Sequence, residues 1–407
     1  MNEVKIGVIG SANAAKSSTI GTLTYDVLDD GNGLARNKVL LLPHERESGR
    51  TSSISKHFIR IPDSERFVTL LDLAGHEKYL KTTLYGLSGY LVDYAIIIVG
   101  ANMGVTNMTK EHLGIILPLQ VPFVVVVTKI DIAPDHIVTE TLNEIKAIIT
   151  KKRSPQKECI IVENMDDVGK MTAMFQANNY TVCPIFKISN VSGLNLNLLK
   201  AFLFTLGSRF TKMVKPVEDG KVIFKIYDKF YVQGIGLVVS GYVRKGIIKT
   251  DDTLFIGPIN GEWKPIVVRS IHDNFRTVIS QLGTGESGCV AIRVTDKKGK
   301  ISKSKIKKGV VLSNKTQFHK KFEADIFIFS SNTTTIKKGY QPMINCNTIV
   351  QSAIIYDSPA GVIRGGEKVR VKMEFMFRAE YIEKGDLFIF REGCLKGFGK
   401  IVDVFDE

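Results

Sequence analysis

Apolar and polar positions follow two different rhythms along this chain of 407 residues. Up to about residue 209, short apolar runs at 5–9, 67–71, 123–127 and 185–188 read as strands buried on both faces. Between them lie helix-compatible segments, among them 18–28, 77–87 and 139–151. Strands alternating with helices predict an α/β domain, a mostly parallel sheet with helices on both faces. From residue 221 onward the rhythm shortens. Runs at 222–227, 236–243, 246–248, 253–256 and 267–271 recur between Gly and Asp turns, with no helical pattern. A second such block holds runs at 322–329, 340–346, 348–356, 368–377 and 386–391. This pattern predicts two antiparallel β-barrels. The expected domains are 1–212, 213–314 and 315–407. Residues 31–53 are long, polar and glycine-containing, the pattern of a mobile connection.

Composition narrows the class. Hydrophobic residues make up 44% of the chain, enough for real cores. The longest apolar runs, 91–99 and 121–127, are too short and interrupted to span a bilayer, so no membrane partner is expected. The sequence opens on a strand-like run with no signal-like segment. Five cysteines are scattered without a CxxC pair, which suits free thiols in a reducing cytoplasm better than a disulfide or zinc framework.

Charge is unevenly shared. Residues 1–210 hold 22 Lys+Arg against 20 Asp+Glu, a net of +2; subtracting from the totals of 55 and 41 leaves 33 against 21, a net of +12, for the remainder. A basic balance of that size suggests a polyanion partner for the barrels. The densest cluster, Lys297 to Lys308, lacks an aromatic stacking platform, and a solvated loop accounts for it at least as well as RNA contact.

The candidate chemistry lies in the first domain. Asp72-Leu73-Ala74-Gly75-His76 follows the strand-like run 67–71. A carboxylate at a strand end can hold a phosphate-bound Mg²⁺, and a glycine three residues on lets a backbone N–H approach a terminal phosphate. His76 then faces the position of an attacking water. Upstream, the strand-like run 5–9 leads into Gly10, Ser11, Ala12, Asn13, Ala14, Ala15, Lys16, Ser17 and Ser18, then a helix-compatible run. That is the strand–loop–helix setting of a phosphate-binding loop. Lys16 would reach the β- and γ-phosphates, and Ser17 would offer its hydroxyl to Mg²⁺. The usual pattern has Gly where Ala15 stands. A left-handed backbone there costs alanine about 1–2 kcal/mol.

Downstream, the run 123–127 ends in Thr128, Lys129, Ile130 and Asp131. Asp131 can accept from guanine N1–H and the 2-amino group, a donor pair adenine lacks. Lys129 can lay its stem along the ring. Asn is usual where Thr128 stands, and its loss is expected to weaken a tie to the phosphate loop. Ser189, Asn190 and Val191 are placed to close the base pocket through backbone N–H groups. On its own that segment reads only as a turn.

In order and spacing these motifs resemble the translational GTPases, the family of elongation factor Tu and elongation factor one-alpha. The likeness is closest to the GTP-binding-protein-one-like branch. It is carried by the stretches 29–36 (DDGNGLAR), 47–53 (ESGRTSS), 108–114 (MTKEHLG), 335–342 (TIKKGYQP) and 390–393 (FREG). The resemblance implies GTP and GDP as ligands with Mg²⁺, held by Ser17, Thr51 and Asp72, and it gives His76 the catalytic role. Thr51 would be the first switch's Mg²⁺-coordinating threonine. Family members usually have Asp where Asn13 stands, to help hold a monovalent cation. Arg46 and Arg50, in the first switch, are candidates for transition-state charge. The implied activity is GTP hydrolysis by a cytoplasmic, monomeric switch that binds tRNA or the ribosome and is served by a nucleotide-exchange factor. A ribosome-rescue or mRNA-surveillance GTPase, and a GTP-binding scaffold with negligible hydrolysis, are the alternatives.

Overall fold

The computed structural model describes residues 3–49, 51–150, 158–177, 181–210, 220–295, 301–329, 335–392 and 394–405. It divides into two compact units, one of residues 2–87 and 92–209, the other of 88–91 and 210–407.

The first unit is built on a seven-stranded sheet. Its strands are β1 (Glu3–Gly10), β2 (Ser55–Arg60), β3 (Phe67–Asp72), β4 (Tyr94–Gly100), β5 (Phe123–Thr128), β6 (Glu158–Val162) and β7 (Val182–Lys187). They lie in the order β2-β3-β1-β4-β5-β7-β6. All neighbours pair in parallel except β2, which runs antiparallel to β3. Every residue of β1, β4 and β5 is buried, as continuous apolar runs require when helices cover both faces. Helices α1 (Lys16–Tyr25), α4 (Leu80–Gly89), α5 (Asn107–Ile116), α6 (Asp135–Thr150), α7 (Met165–Ala177) and α8 (Leu196–Thr205) alternate with the strands. In α6 the buried Val138, Leu142, Ile145 and Ile149 recur at helical spacing and form one apolar face.

Two local readings change. The stretch 31–53 is not simply a polar connection, since it contains α2 (Leu34–Val39) and α3 (Pro43–Ser48). Ala35 and Val39, four apart, bury one face of α2, and Pro43 opens α3 in its first turn. The segment after Gly75 begins as a 3₁₀ turn, Glu77–Tyr79, before α4.

In the second unit, the first ring comprises β8 (Ile223–Val232), β9 (Gly236–Lys245), β11 (Thr253–Ile259), β12 (Glu262–His272), β15 (Ser287–Val294) and β16 (Val311–Ser313). Their order is β11-β16-β8-β9-β15-β12, and the β11–β12 pairing closes it. Short strands β10 (Ile247–Lys249), β13 (Val278–Ile279) and β14 (Gln281–Gly283) are added outside the ring. The second barrel is closed by β17 (Lys321–Ile328), β18 (Met343–Cys346), β19 (Ile349–Asp357), β20 (Lys368–Phe375), β21 (Leu387–Glu392) and β22 (Cys394–Phe405). Strand β22 was not expected, because its glycines interrupt the alternating pattern. They make room for rings: a Cβ on Gly399 would lie 2.3 Å from Phe388, and one on Gly397 2.6 Å from Phe390. One lysine of the basic half is no surface charge: Lys225 is buried and donates to the Tyr381 carbonyl at 3.1 Å. Of the lysine cluster, Lys297, Lys298 and Lys300 lie outside the described residues.

Candidate functional site

Strand β1 delivers the chain to the carboxyl edge of the sheet, where Gly10 passes so close to β4 that a Cβ would sit 2.2 Å from the Ile98 carbonyl. The loop then turns through two left-handed residues, Asn13 (φ 62°) and Ala15 (φ 68°), before α1 starts at Lys16. Lys16 is buried, and its Nζ donates to the Ser11 carbonyl at 2.9 Å. Burial pulls its ammonium down to about 8, although Asp72 opposes the shift. A phosphate placed there would add a second counter-charge beside Lys16.

At the end of β3, Asp72 is fully buried. Its Oδ2 accepts from Ser17 Oγ and from Thr51 Oγ1, each at 2.9 Å, and the two hydroxyls are 3.1 Å apart. Its Oδ1 is buried without a partner. Burial raises the Asp72 carboxyl above its ordinary value, against the pull of Lys16 and the two hydroxyls. Two hydroxyls beside a buried carboxylate with one oxygen unmet form a set of hard oxygen donors that fits Mg²⁺. Gly75 could be no other residue here: a Cβ would stand 2.1 Å from Lys16 Nζ and 2.4 Å from the Gly10 carbonyl. Next to it, His76 is partly exposed and caps the 3₁₀ turn, its Nδ1 accepting from Lys78 N–H at 3.2 Å.

Thr51 is held in place by a residue that sequence reasoning missed. The buried Glu45 of α3 accepts through one oxygen from the backbone and hydroxyl groups of both Ser52 and Ser53, at 2.8–3.1 Å. Burial would raise this carboxyl, but the four bonds outweigh it and hold Glu45 below its ordinary value. Only a fixed local fold makes such an anchor visible, because Glu45 stands in a run of charged residues. Arg46 donates its Nε to the Leu40 carbonyl, and Arg50 lies outside the described residues.

At the end of β5, the expected weakening of the tie at Thr128 is not observed. Thr128 Oγ1 donates to the Ala14 carbonyl at 2.9 Å, so a hydroxyl makes the tie. Asn190 is fixed by Thr22 and Thr19 of α1, at 3.1 and 3.0 Å, and its carbonyl accepts from Asp29 N–H. Ser189 Oγ accepts from the N–H groups of Val191 and Ser192 and shapes the turn.

These segments surround one cavity of about 600 Å³. Ala12, Asn13, Ala15, Lys16, Ser17 and Ser18 line it from the loop after β1 and the start of α1, Thr51, Gly75 and His76 from the segments before β2 and after β3, and Lys129, Asp131, Asn190 and Val191 from the loops after β5 and β7. Ser11, Ala14, Asp72, Thr128 and Ser189 are buried behind that wall and position it. The family model of the elongation factor Tu GTP binding domain matches residues 1–213. The chain belongs to this elongation factor Tu family.

Within the family, the chain is 38% identical over 432 residues to GTP-binding protein 1 of Xenopus laevis, covering 100% of this chain and 64% of that protein. It therefore spans a little under two thirds of that relative. It is 32% identical over 427 residues to GTP-binding protein 2 of Homo sapiens, covering 99% and 69%. Among solved structures, translation elongation factor SelB from Methanococcus maripaludis, in complex with the GTP analogue GppNHp, superposes with a TM-score of 0.70 at 20% identity, covering 99% of this chain and 79% of that one. That likeness is one of fold: the elongation factor Tu family's α/β domain followed by two β-barrels.

Proposed function

We propose that this chain is a GTP-binding and GTP-hydrolysing switch of the translational type. The observation that carries the reading is the convergence of Ser17 and Thr51 on one oxygen of Asp72. A phosphate-loop hydroxyl, a first-switch hydroxyl and a strand-end carboxylate meet at one point. From there a switch segment can respond to a γ-phosphate. Ser17, Thr51 and Asp72 would hold Mg²⁺, which supplies charge neutralisation between the terminal phosphates when bound. Lys16 and the N–H groups of the loop from Ser11 to Ser18 bind phosphate oxygens, and Gly75 brings its own N–H to the terminal one. Asp131 selects guanine, Lys129 covers the ring, and the segment from Ser189 to Val191 closes the pocket.

His76 orients the attacking water rather than abstracting its proton. With Nδ1 accepting from Lys78 N–H, the neutral ring carries its hydrogen on Nε2, which makes that atom a donor. The partner we assign is tRNA or ribosome-associated RNA in the cytoplasm, on the strength of the +12 balance beyond residue 210. The names of the relatives, as GTP-binding proteins, support the nucleotide part of this reading. His76→Ala should bind GTP normally yet lose ribosome-stimulated hydrolysis in single-turnover assays. A variant that keeps the stimulated rate would remove His76 from the mechanism.

A further inference from the structure

Arg36 of α2 lines the same cavity as the phosphate loop. Two glycines form its slot. A Cβ on Gly33 would lie 2.6 Å from Arg36 Nη2, and one on Gly49 would lie 3.1 Å from Cζ. Both glycines have left-handed backbones, with φ of 103° and 64°. Side chains are thus kept away on two sides, and the guanidinium is flanked by bare backbone.

Three acids of this segment, Asp29, Asp30 and Glu45, are committed elsewhere, and Glu47 is exposed. Asp29 Oδ1 accepts from Ala35 N–H, Asp30 Oδ1 from Asn32 and Leu34 N–H, and Glu45 from Ser52 and Ser53. Arg36 makes no ion pair among the described residues, and its Nε is buried without a hydrogen-bond partner. Arg46 differs, since its Nε is satisfied by the Leu40 carbonyl. A half-buried arginine on a cavity wall, with its buried Nε unmet, suits an anionic ligand. The planar fork of a guanidinium suits phosphate oxygens. Gly49, which forms one wall of the slot, stands two residues before Thr51. The slot is therefore tied to the switch arrangement in which Thr51 reaches Asp72.

We infer that Arg36 is a phosphate ligand of the triphosphate-bound state, supplied in cis by the first switch. This rests on the nucleotide reading above and adds a second cation to Lys16. The test is titration of the full chain, in Mg²⁺, with fluorescent GDP and fluorescent GppNHp, for the wild type, Arg36→Gln and Arg36→Lys. Arg36→Gln should lose about tenfold or more in affinity for GppNHp, as expected for one charge-assisted contact, with a smaller loss for GDP. Arg36→Lys, which keeps the charge, should recover part of the GppNHp affinity. Unchanged affinities, or equal losses for both nucleotides, would overturn the inference. A lysine variant as poor as the glutamine one would also overturn it, because packing rather than charge would then explain the loss. A wild type that binds neither nucleotide would instead overturn the nucleotide reading itself.

Discussion

Thr128 donates a 2.9 Å hydrogen bond from Oγ1 to the backbone carbonyl of Ala14. It couples the end of β5, three residues before the proposed base reader Asp131, to the loop proposed to take the phosphates. Thr128→Val keeps the shape and removes the donor, leaving a buried carbonyl unmet at a cost of about 1–3 kcal/mol. Nucleotide affinity should fall roughly tenfold or more, read by fluorescence titration. Unaltered affinity would mean that the two halves of the site are held together by something else.

Ala15 caps α1 with φ 68° and ψ 28°, a left-handed conformation in which its Cβ is strained. Ala15→Gly relieves about 1–2 kcal/mol of that strain, against about 0.5–1 kcal/mol lost to glycine's freedom in the unfolded chain. A net gain of up to about 1.5 kcal/mol is expected in denaturant unfolding of the nucleotide-free protein. A loss of stability would show that the loop has adapted to alanine.

His112 in α5 is buried, and neither ring nitrogen has a hydrogen-bond partner. Burial, with the Lys16 charge adding to it, pulls its pKa down to about 3. A histidine depressed on folding contributes stability in full above its unfolded pKa of roughly 6.5 and loses it as the pH falls toward the folded value. At pH 5 the loss amounts to about 2 kcal/mol. His57, lowered by burial to about 4, adds a dependence of the same sign. His112→Leu should therefore narrow the stability difference between pH 7 and pH 5 by about 2 kcal/mol, measured by chemical unfolding. An undiminished difference would assign the acid sensitivity to other groups.

The sheet and the phosphate loop were legible because continuous β-branched runs, followed by Gly10, Lys16 and Asp72, leave few alternatives in strand-to-loop geometry. The barrels were legible from short alternating runs. What escaped depends on packing between distant positions. Gly397 and Gly399 look like strand breakers until Phe390 and Phe388 are seen lying over them. The helices α2 and α3 are only six residues each, too short for a clear period. Glu45 and Arg36 share that charged segment, and only its folded form shows that one binds backbone amides while the other makes no ion pair among the described residues. For Thr128, reading the missing amide as a missing tie neglected that a hydroxyl close enough to Ala14 makes the same bond.

The central claim is a guanine-specific triphosphate site, and competition between nucleotides tests it most directly. Asp131 and Lys129 line the same cavity as Lys16 and Thr51. A pocket built to accept a substrate's N–H groups rejects an analogue lacking them by about 10⁴-fold or more. Fluorescent GTP bound in Mg²⁺ should be displaced by unlabelled GTP and GDP but not by ATP at a thousandfold excess, a level chosen to lie below that roughly 10⁴-fold discrimination. Asp131→Ala should bind GTP much more weakly. Displacement by ATP at concentrations similar to GTP, or undiminished GTP binding by Asp131→Ala, would contradict the account.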